Sequence, residues 1–262
     1  MSSVYAAEGS PELPRVRRIG FSDLRMALEG GLADFRALPS HAVFLCLLYP
    51  IVGIILGGFL LRYDVVPLVF PLVAGFALIG PFAAVGLYEL SRRIELGLDS
   101  SWEHAFDVLR SPAKWSVFAL GVLLTAIFIA WLLTARWLYH ATLAPFAPRD
   151  VGGFMHALFT TAAGWKMIVW GNLLGLLFAL VVLCLSVVSF PLLLDRHVGA
   201  PAAMLTSVRA VLENPVAMAG WGLIVAVALV IGSLPFLLGL AVVMPILGHA
   251  TWHLYRRVVA PG

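Results

Sequence analysis

Charge is scarce in this sequence. Only 12% of its 262 residues are Asp, Glu, Lys or Arg, against 61% hydrophobic residues and a mean hydropathy of +0.99. Soluble domains carry roughly 25% charged residues, and a water-soluble core cannot absorb this much apolar surface. Cysteine is nearly missing as well. Cys46 and Cys184 both sit inside apolar runs, with no CxxC spacing, which excludes a disulfide scaffold and a thiolate metal site. No phosphate loop, nucleophile elbow, zinc-protease motif or pair of membrane aspartates occurs, so neither an enzyme nor a bound cofactor is expected. The start also lacks the short apolar core that follows the basic residues of a signal peptide. The first 40 residues are polar and hold Pro11, Pro14 and five arginines; insertion is expected to use an internal span.

What is present is a series of long apolar runs. Spans of about 20 residues suit the hydrocarbon thickness of a bilayer, and six are expected, over about 43–61, 66–88, 115–133, 167–194, 216–231 and 234–255. Three shorter segments are amphipathic. From Phe21 to Leu38 the residues Leu24, Leu28, Leu32 and Phe35 recur at helical spacing, with Ser22 as candidate N-cap. Ser100 to Leu109 places Trp102, Ala105, Phe106 and Leu109 on one face, and Pro201 to Leu212 is the third. Pro39, Pro112 and Pro215 stop them in turn. The segment Val151 to Trp165 is apolar but too short to cross, and is expected to be interfacial or re-entrant.

The pattern is one unit met three times: a surface helix, a stopping proline, an outgoing span and a returning span. The units cover about 21–97, 100–199 and 200–257, and residues 1–20 read as a disordered tail. Each returning span holds a proline, at Pro81, Pro191 and Pro245. Pro81 precedes Arg92 and Arg93 by eleven and twelve residues, as Pro245 precedes Arg256 and Arg257. The expected fold is therefore an all-α polytopic membrane domain of six transmembrane helices arranged as three hairpins, each preceded by an amphipathic surface helix. Thirteen of the 17 Lys and Arg residues fall on the N-terminal side of these spans, and only Arg62, Arg136, Arg149 and Lys166 on the other. That bias places both termini in the cytoplasm. It also accounts for the net charge of +3 without nucleic acid, since the basic residues lie at helix ends rather than in a stripe.

Two stretches, RRIGFSDLRMALEGGLADFRALPSH and AGFALIGPFAAVGLYELSRRIELG, resemble an uncharacterised family of bacterial inner-membrane proteins that carry a domain of unknown function. Some members are labelled as cytochrome c oxidase subunits. The resemblance implies a multi-pass membrane protein with no assigned reaction, and it carries over no functional residues.

The oxidase label can be weighed against the histidines. A haem–copper subunit needs several at membrane depth, whereas His41, His104, His140, His156 and His197 lie mostly at helix ends or in loops. His249 and His253, four apart on one helix face, are the weak candidates for metal ligation, with His41 or Glu89 as a third ligand; the bland alternative is a pair of interfacial polar residues. Glu89 has Arg92 and Arg93 within helical reach and is expected to form a local ion pair. Asn172 is the clearest polar residue inside a span, placed to bond across helices. Gly53, Gly57 and Gly58, and Gly171 and Gly175, have the spacing of close helix contacts. The expected partners are the lipid bilayer and a larger membrane complex. On these grounds the chain reads as an accessory or scaffold protein, with a small-solute transporter or channel as the alternative.

Overall fold

The computed structural model describes residues 13–38, 66–146, 151–196, 198–234 and 239–261. These residues are almost entirely helical, apart from one antiparallel bridge between Val16 and Val259. The first expected span, 43–61, lies outside the described residues, as do His41 and Gly53, Gly57 and Gly58.

The first helix, α1 (Phe21–Ala37), begins one residue before the Ser22 cap expected from sequence. Asp23 caps it instead, its carboxylate accepting from the Gly20 N–H at 2.9 Å. The returning part of unit one is α2 (Val66–Ala83), which breaks at Ala84, and α3 (Val85–Glu95). Unit two opens with the 3-10 helix η1 (Trp102–Arg110) and continues as α4 (Lys114–Thr142). At 29 residues α4 is about 43 Å long. It outruns the span expected over 115–133, because no helix breaker follows until Pro145.

After the short η2 (Ala144–Phe146) comes α5 (Val151–Thr160), the segment expected to be interfacial or re-entrant. It is a ten-residue helix packed on its successor, α6 (Ala162–Ser186), and Trp165 belongs to α6 rather than to it. Thr161 caps α6, its Oγ1 accepting from Gly164 at 3.0 Å. The corner is tight: a Cβ at Gly164 would stand 2.1 Å from the Leu158 carbonyl oxygen. The chain breaks again at Val187 and Val188 before α7 (Ser189–Asp195), so Pro191 lies beyond the break and not within the long helix. Unit three consists of α8 (Ala200–Glu213), α9 (Pro215–Ser233) and α10 (Leu240–Val258).

The three surface helices pack in a cyclic order. Each lies on the returning helix of the unit before it: η1 on α3, α8 on α6 and α7, and α1, closing the circle, on α10. A small residue stands at every crossing. Gly31 meets Ala250, Ala105 meets Gly86, and the Ser207 hydroxyl accepts from the Val188 N–H at 3.2 Å. Gly31 and Ser207 are each eight residues before their stopping proline and Ala105 is seven before its own; Gly86 and Ala250 are each five after theirs. In the second unit the contact falls instead at Val188, three residues before Pro191.

The inner ends of α3, α7 and α10 meet at the centre, where Phe190, Leu192, Trp252 and Leu254 have no exposed surface. The outside is apolar. Among the described residues three helical stretches are long and apolar enough to cross a membrane, Lys114–Thr142, Ala162–Asp195 (α6 with α7) and Pro215–Ser233, and only 28%, 33% and 22% of their apolar windows is buried. Exposed Trp115 and Trp137 on α4 are twenty-two positions apart, about 33 Å along the axis, close to the thickness of a hydrocarbon core. Such a surface is at home in lipid, where small residues and satisfied polar groups hold helices together. Accordingly Trp131 donates its indole N–H to the Pro71 carbonyl at 2.8 Å, and Gly175 receives the Trp131 ring.

Residues 13–20, expected to belong to a disordered tail, run alongside the end of α10. Arg17 donates to the Val258 carbonyl at 2.7 Å, and Ala260 to that of Arg15 at 3.0 Å. Asn214 holds this segment from the side, accepting from the Ile19 N–H at 2.8 Å and donating to the Arg17 carbonyl at 3.0 Å. The two ends of the fold therefore lie together. The tail expectation for 1–12 falls outside the described residues.

Candidate functional site: the polar end of the bundle

Charge is scarce along the chain and concentrated where the returning helices leave the apolar layer. At its centre is a buried chain of four side chains. Asp34 of α1 is 6% exposed, Ser91 of α3 is 1% and His249 of α10 has no exposed surface. The Ser91 hydroxyl donates to Asp34 Oδ2 at 2.7 Å, and the same oxygen stands 2.7 Å from His249 Nδ1. A hydroxyl has one hydrogen. With that hydrogen given to Asp34, Ser91 accepts from an Nδ1–H on His249. His253, a turn further along α10, reaches Asp34 Oδ2 with Nε2 at 2.9 Å. Helix packing explains why these groups meet. Gly30 and Gly31 let α1 approach α10 at the level of Ala250 and His253, and the next turn of α1 delivers Asp34.

The Asp34 carboxyl is pulled two ways. Burial raises its pKa, and hydrogen bonds from His253 and Ser91, with the charges of the two histidines, bring it net below its ordinary value of 3.8. Asp34 is thus the buried anion around which the other three are arranged.

A second layer of ion pairs surrounds this chain. Arg92 grips both oxygens of Glu89 at 2.8 Å, the local pair expected from sequence. Arg93 turns instead to η1, reaching Asp107 at 3.3 Å and the Asp99 carbonyl. Glu95 accepts from the Trp252 indole and from Arg256, both at 2.9 Å, and Asp195 of α7 accepts from the Tyr255 hydroxyl at 2.5 Å and from Arg256 at 3.2 Å. Arg257 reaches Asp23 at 3.3 Å. The three returning helices and two of the surface helices are therefore tied by charge at one end.

His249 and His253 lie on one inward face as their spacing suggests, and the groups that link them are Ser91 and Asp34, neither of which has a local signal in the sequence. Glu89 is committed to Arg92. Among the described residues no three His, Cys, Asp or Glu side chains form a metal-binding group. Asn172 is apart from all of this: it lies on the exposed face of α6 and donates to the Ile168 carbonyl of its own helix at 2.8 Å, rather than across to a neighbour.

On η1, His104 lies 2.6 Å from Asp107 and 3.2 Å from Asp99. The bond to Asp107 raises its pKa above the ordinary 6.5, against a smaller effect of burial, and the pKa of Asp107 is lowered by the same bond. A raised histidine contributes stability that is full below its unfolded pKa and is lost as pH rises through its folded one. Replacing His104 by Gln is therefore expected to lower the thermal midpoint most at about pH 5 to 6, with the gap to wild type closing toward about pH 8. Melting curves of both proteins across that range check this, and a gap that grows with pH contradicts it.

Comparison with curated proteins and with solved structures returned no match. Residues 69–195, from α2 through the end of α7, are covered by the model of a family described as a predicted integral membrane protein (DUF2189). The exposed apolar helices and the charge gathered at one end agree with this similarity, and together they identify an integral membrane protein, similar over residues 69–195 to a family whose function is unassigned.

Proposed function

We propose that the protein is a non-enzymatic accessory or scaffold protein of the bacterial inner membrane. It crosses the bilayer six times and has both termini and the polar end in the cytoplasm. The observation that carries this reading is the closure of the centre. Where α3, α7 and α10 meet, the space is filled by Phe190, Leu192, Trp252 and Leu254, and the carboxylates beside it are bound by groups of this same chain. A rigid plug with an apolar flank on α4, α6 and α9 suits contact with lipid and with a larger membrane complex. The positive-inside bias supports the orientation.

The test is a mild-detergent purification of the tagged chain from its native membrane, with mass spectrometry and an absorption spectrum of the same eluate. Stoichiometric membrane subunits are the expected result, and respiratory subunits with bound haem would give the oxidase label a physical basis. A colourless eluate that repeatedly contains this chain alone overturns the scaffold reading.

The buried His249–Ser91–Asp34–His253 chain favours a second reading, proton-linked transport of a small solute, because ionisable groups within membrane bundles mark such routes. Proton flux into proteoliposomes at the rate of protein-free vesicles removes it.

A further inference from the structure

Beside the ion-pair network lies an open polar cleft of about 460 Å³ between α3, α7 and the end of η1. Arg92, Arg93 and Arg110 line it, with Asp107, Ser111 and Asp195 among the facing groups. Its carboxylates already have partners. Asp107 is taken by Arg93 and His104, Asp195 by Tyr255 and Arg256, and Glu89 by Arg92. Donors, by contrast, are left over at the rim. The Arg110 side chain is 89% exposed and touches Asp107 only at 3.5 Å, which leaves most of its five N–H groups free. Its neighbour Ser111 accepts from the Ala113 N–H at 3.2 Å, and no acceptor among the described residues takes its own hydroxyl hydrogen.

The depth of the cleft is set by its flanks. Three residues beyond its last lining position on this strand of chain stands Trp115, 71% exposed at the start of the α4 span, with the Lys114 ammonium 5.7 Å from its ring centre. Phe106 and Leu109 of η1, the helix whose end lines the cleft, are 52% and 69% exposed. Exposed tryptophan beside a basic residue is the pattern of the headgroup layer. An arginine fork and a hydroxyl offered together at that depth match the oxygens of a phosphate ester.

We propose that this cleft seats the phosphate of a phospholipid headgroup, held by Arg110 and Ser111, with the acyl chains lying along Phe106, Leu109 and Trp115. Arg92 and Arg93 also line the cleft but are held by Glu89 and Asp107, so the free donors come from Arg110 and Ser111. The site is independent of whether the chain is a scaffold or a transporter.

The experiment is native mass spectrometry of the full-length protein in detergent, titrated with short-chain phosphatidylglycerol. Diacylglycerol of the same chain length and inorganic phosphate serve as comparison probes. Phosphatidylglycerol is expected to bind with diacylglycerol excluded, and the double variant Arg110→Ala/Ser111→Ala to bind about tenfold more weakly, the loss of a charge-assisted phosphate contact. Arg136→Ala, an exposed basic residue toward the other end of α4, is expected to bind as wild type does. Arg110→Lys keeps the charge without the fork and should fall between. Because Arg110 is exposed, a thermal midpoint matching wild type is expected for these variants and separates lost binding from lost folding. Inorganic phosphate that displaces the lipid at equal concentration overturns the lipid source in favour of a soluble phosphate. Undiminished binding in the double variant, or an equal loss in Arg136→Ala, overturns the site.

Discussion

Replacing Gly31 by alanine is expected to lower the stability of the protein by about 2 kcal/mol, although the same exchange in an open helix would raise it by about 1 kcal/mol. Glycine inside a helix is unfavourable because it has the most backbone freedom to lose. What reverses the sign is the crossing with α10. A Cβ at Gly31 would lie 2.5 Å from the Ala250 backbone nitrogen and 2.7 Å from its Cα. These are atoms of a helix backbone and cannot swing aside as a side-chain tip could, so α1 must lift from α10 and draw Asp34 away from His253 and Ser91. The measurement is thermal unfolding in detergent, where a drop of roughly 5 °C is expected. Gly20→Ala is the control, because its Cβ would find only the Ser22 hydroxyl, at 4.0 Å. A midpoint for Gly31→Ala at or above wild type would mean that the crossing is looser than the geometry described here.

The same crossing shows what could be read from the sequence and what could not. Apolar runs located the long helices, since lipid demands a continuous apolar surface and gives no other signal. The prolines at 112 and 215 marked the stops correctly: η1 ends at Arg110, α8 at Glu213, and α9 starts on Pro215 itself. Boundaries set by residue type alone were less secure. The span expected over 115–133 runs on through Trp137 and Tyr139 to Thr142.

In α1 the leucine spacing pointed to a face through Leu28, Leu32 and Phe35, whereas the residues buried in the helix are Leu24, Ala27, Gly31 and Asp34. Hydrophobic periodicity favours bulk, and close helix contact favours small residues. Asp34 therefore looked like one more charge on a solvated face. Its partners are 57 and 219 residues away in the chain, and no local pattern announces a contact at that separation. The His249 and His253 spacing carried a true signal, two polar side chains on one inward face, but it could not name the carboxylate between them. Arg92 and Arg93 looked like a pair of orienting charges. In the fold they part, one closing on Glu89 and the other anchoring η1.

Removing the Asp34 carboxylate is expected to cost about 3 kcal/mol, more than removing any other single member of the buried chain. The reason is where the orphaned partners would be left. In Asp34→Ala, His253 can turn to water, since its side chain is 29% exposed. Ser91, which is 1% exposed, has no such escape, and its hydroxyl hydrogen is left without the carboxylate that took it. Ser91→Ala is expected to cost about 1 to 2 kcal/mol: His249 loses its bond to the hydroxyl, but the charged group, Asp34, keeps its bond to His253. The double variant should fall short of the sum of the two, as members of one network do. The pH dependence gives a second readout. Asp34 has its pKa held below its ordinary 3.8 in the fold, so its ionised form contributes stability that is present above that value and is lost as pH falls through the lowered one. The midpoint gap between wild type and Asp34→Asn should accordingly be widest near neutral pH and shrink below about pH 4. A gap that is instead widest near about pH 4 and narrows toward neutral pH would mean that the carboxyl is neutral in the fold at about pH 7, and the hydrogen-bond directions assigned to Ser91 and His249 would then have to be reversed.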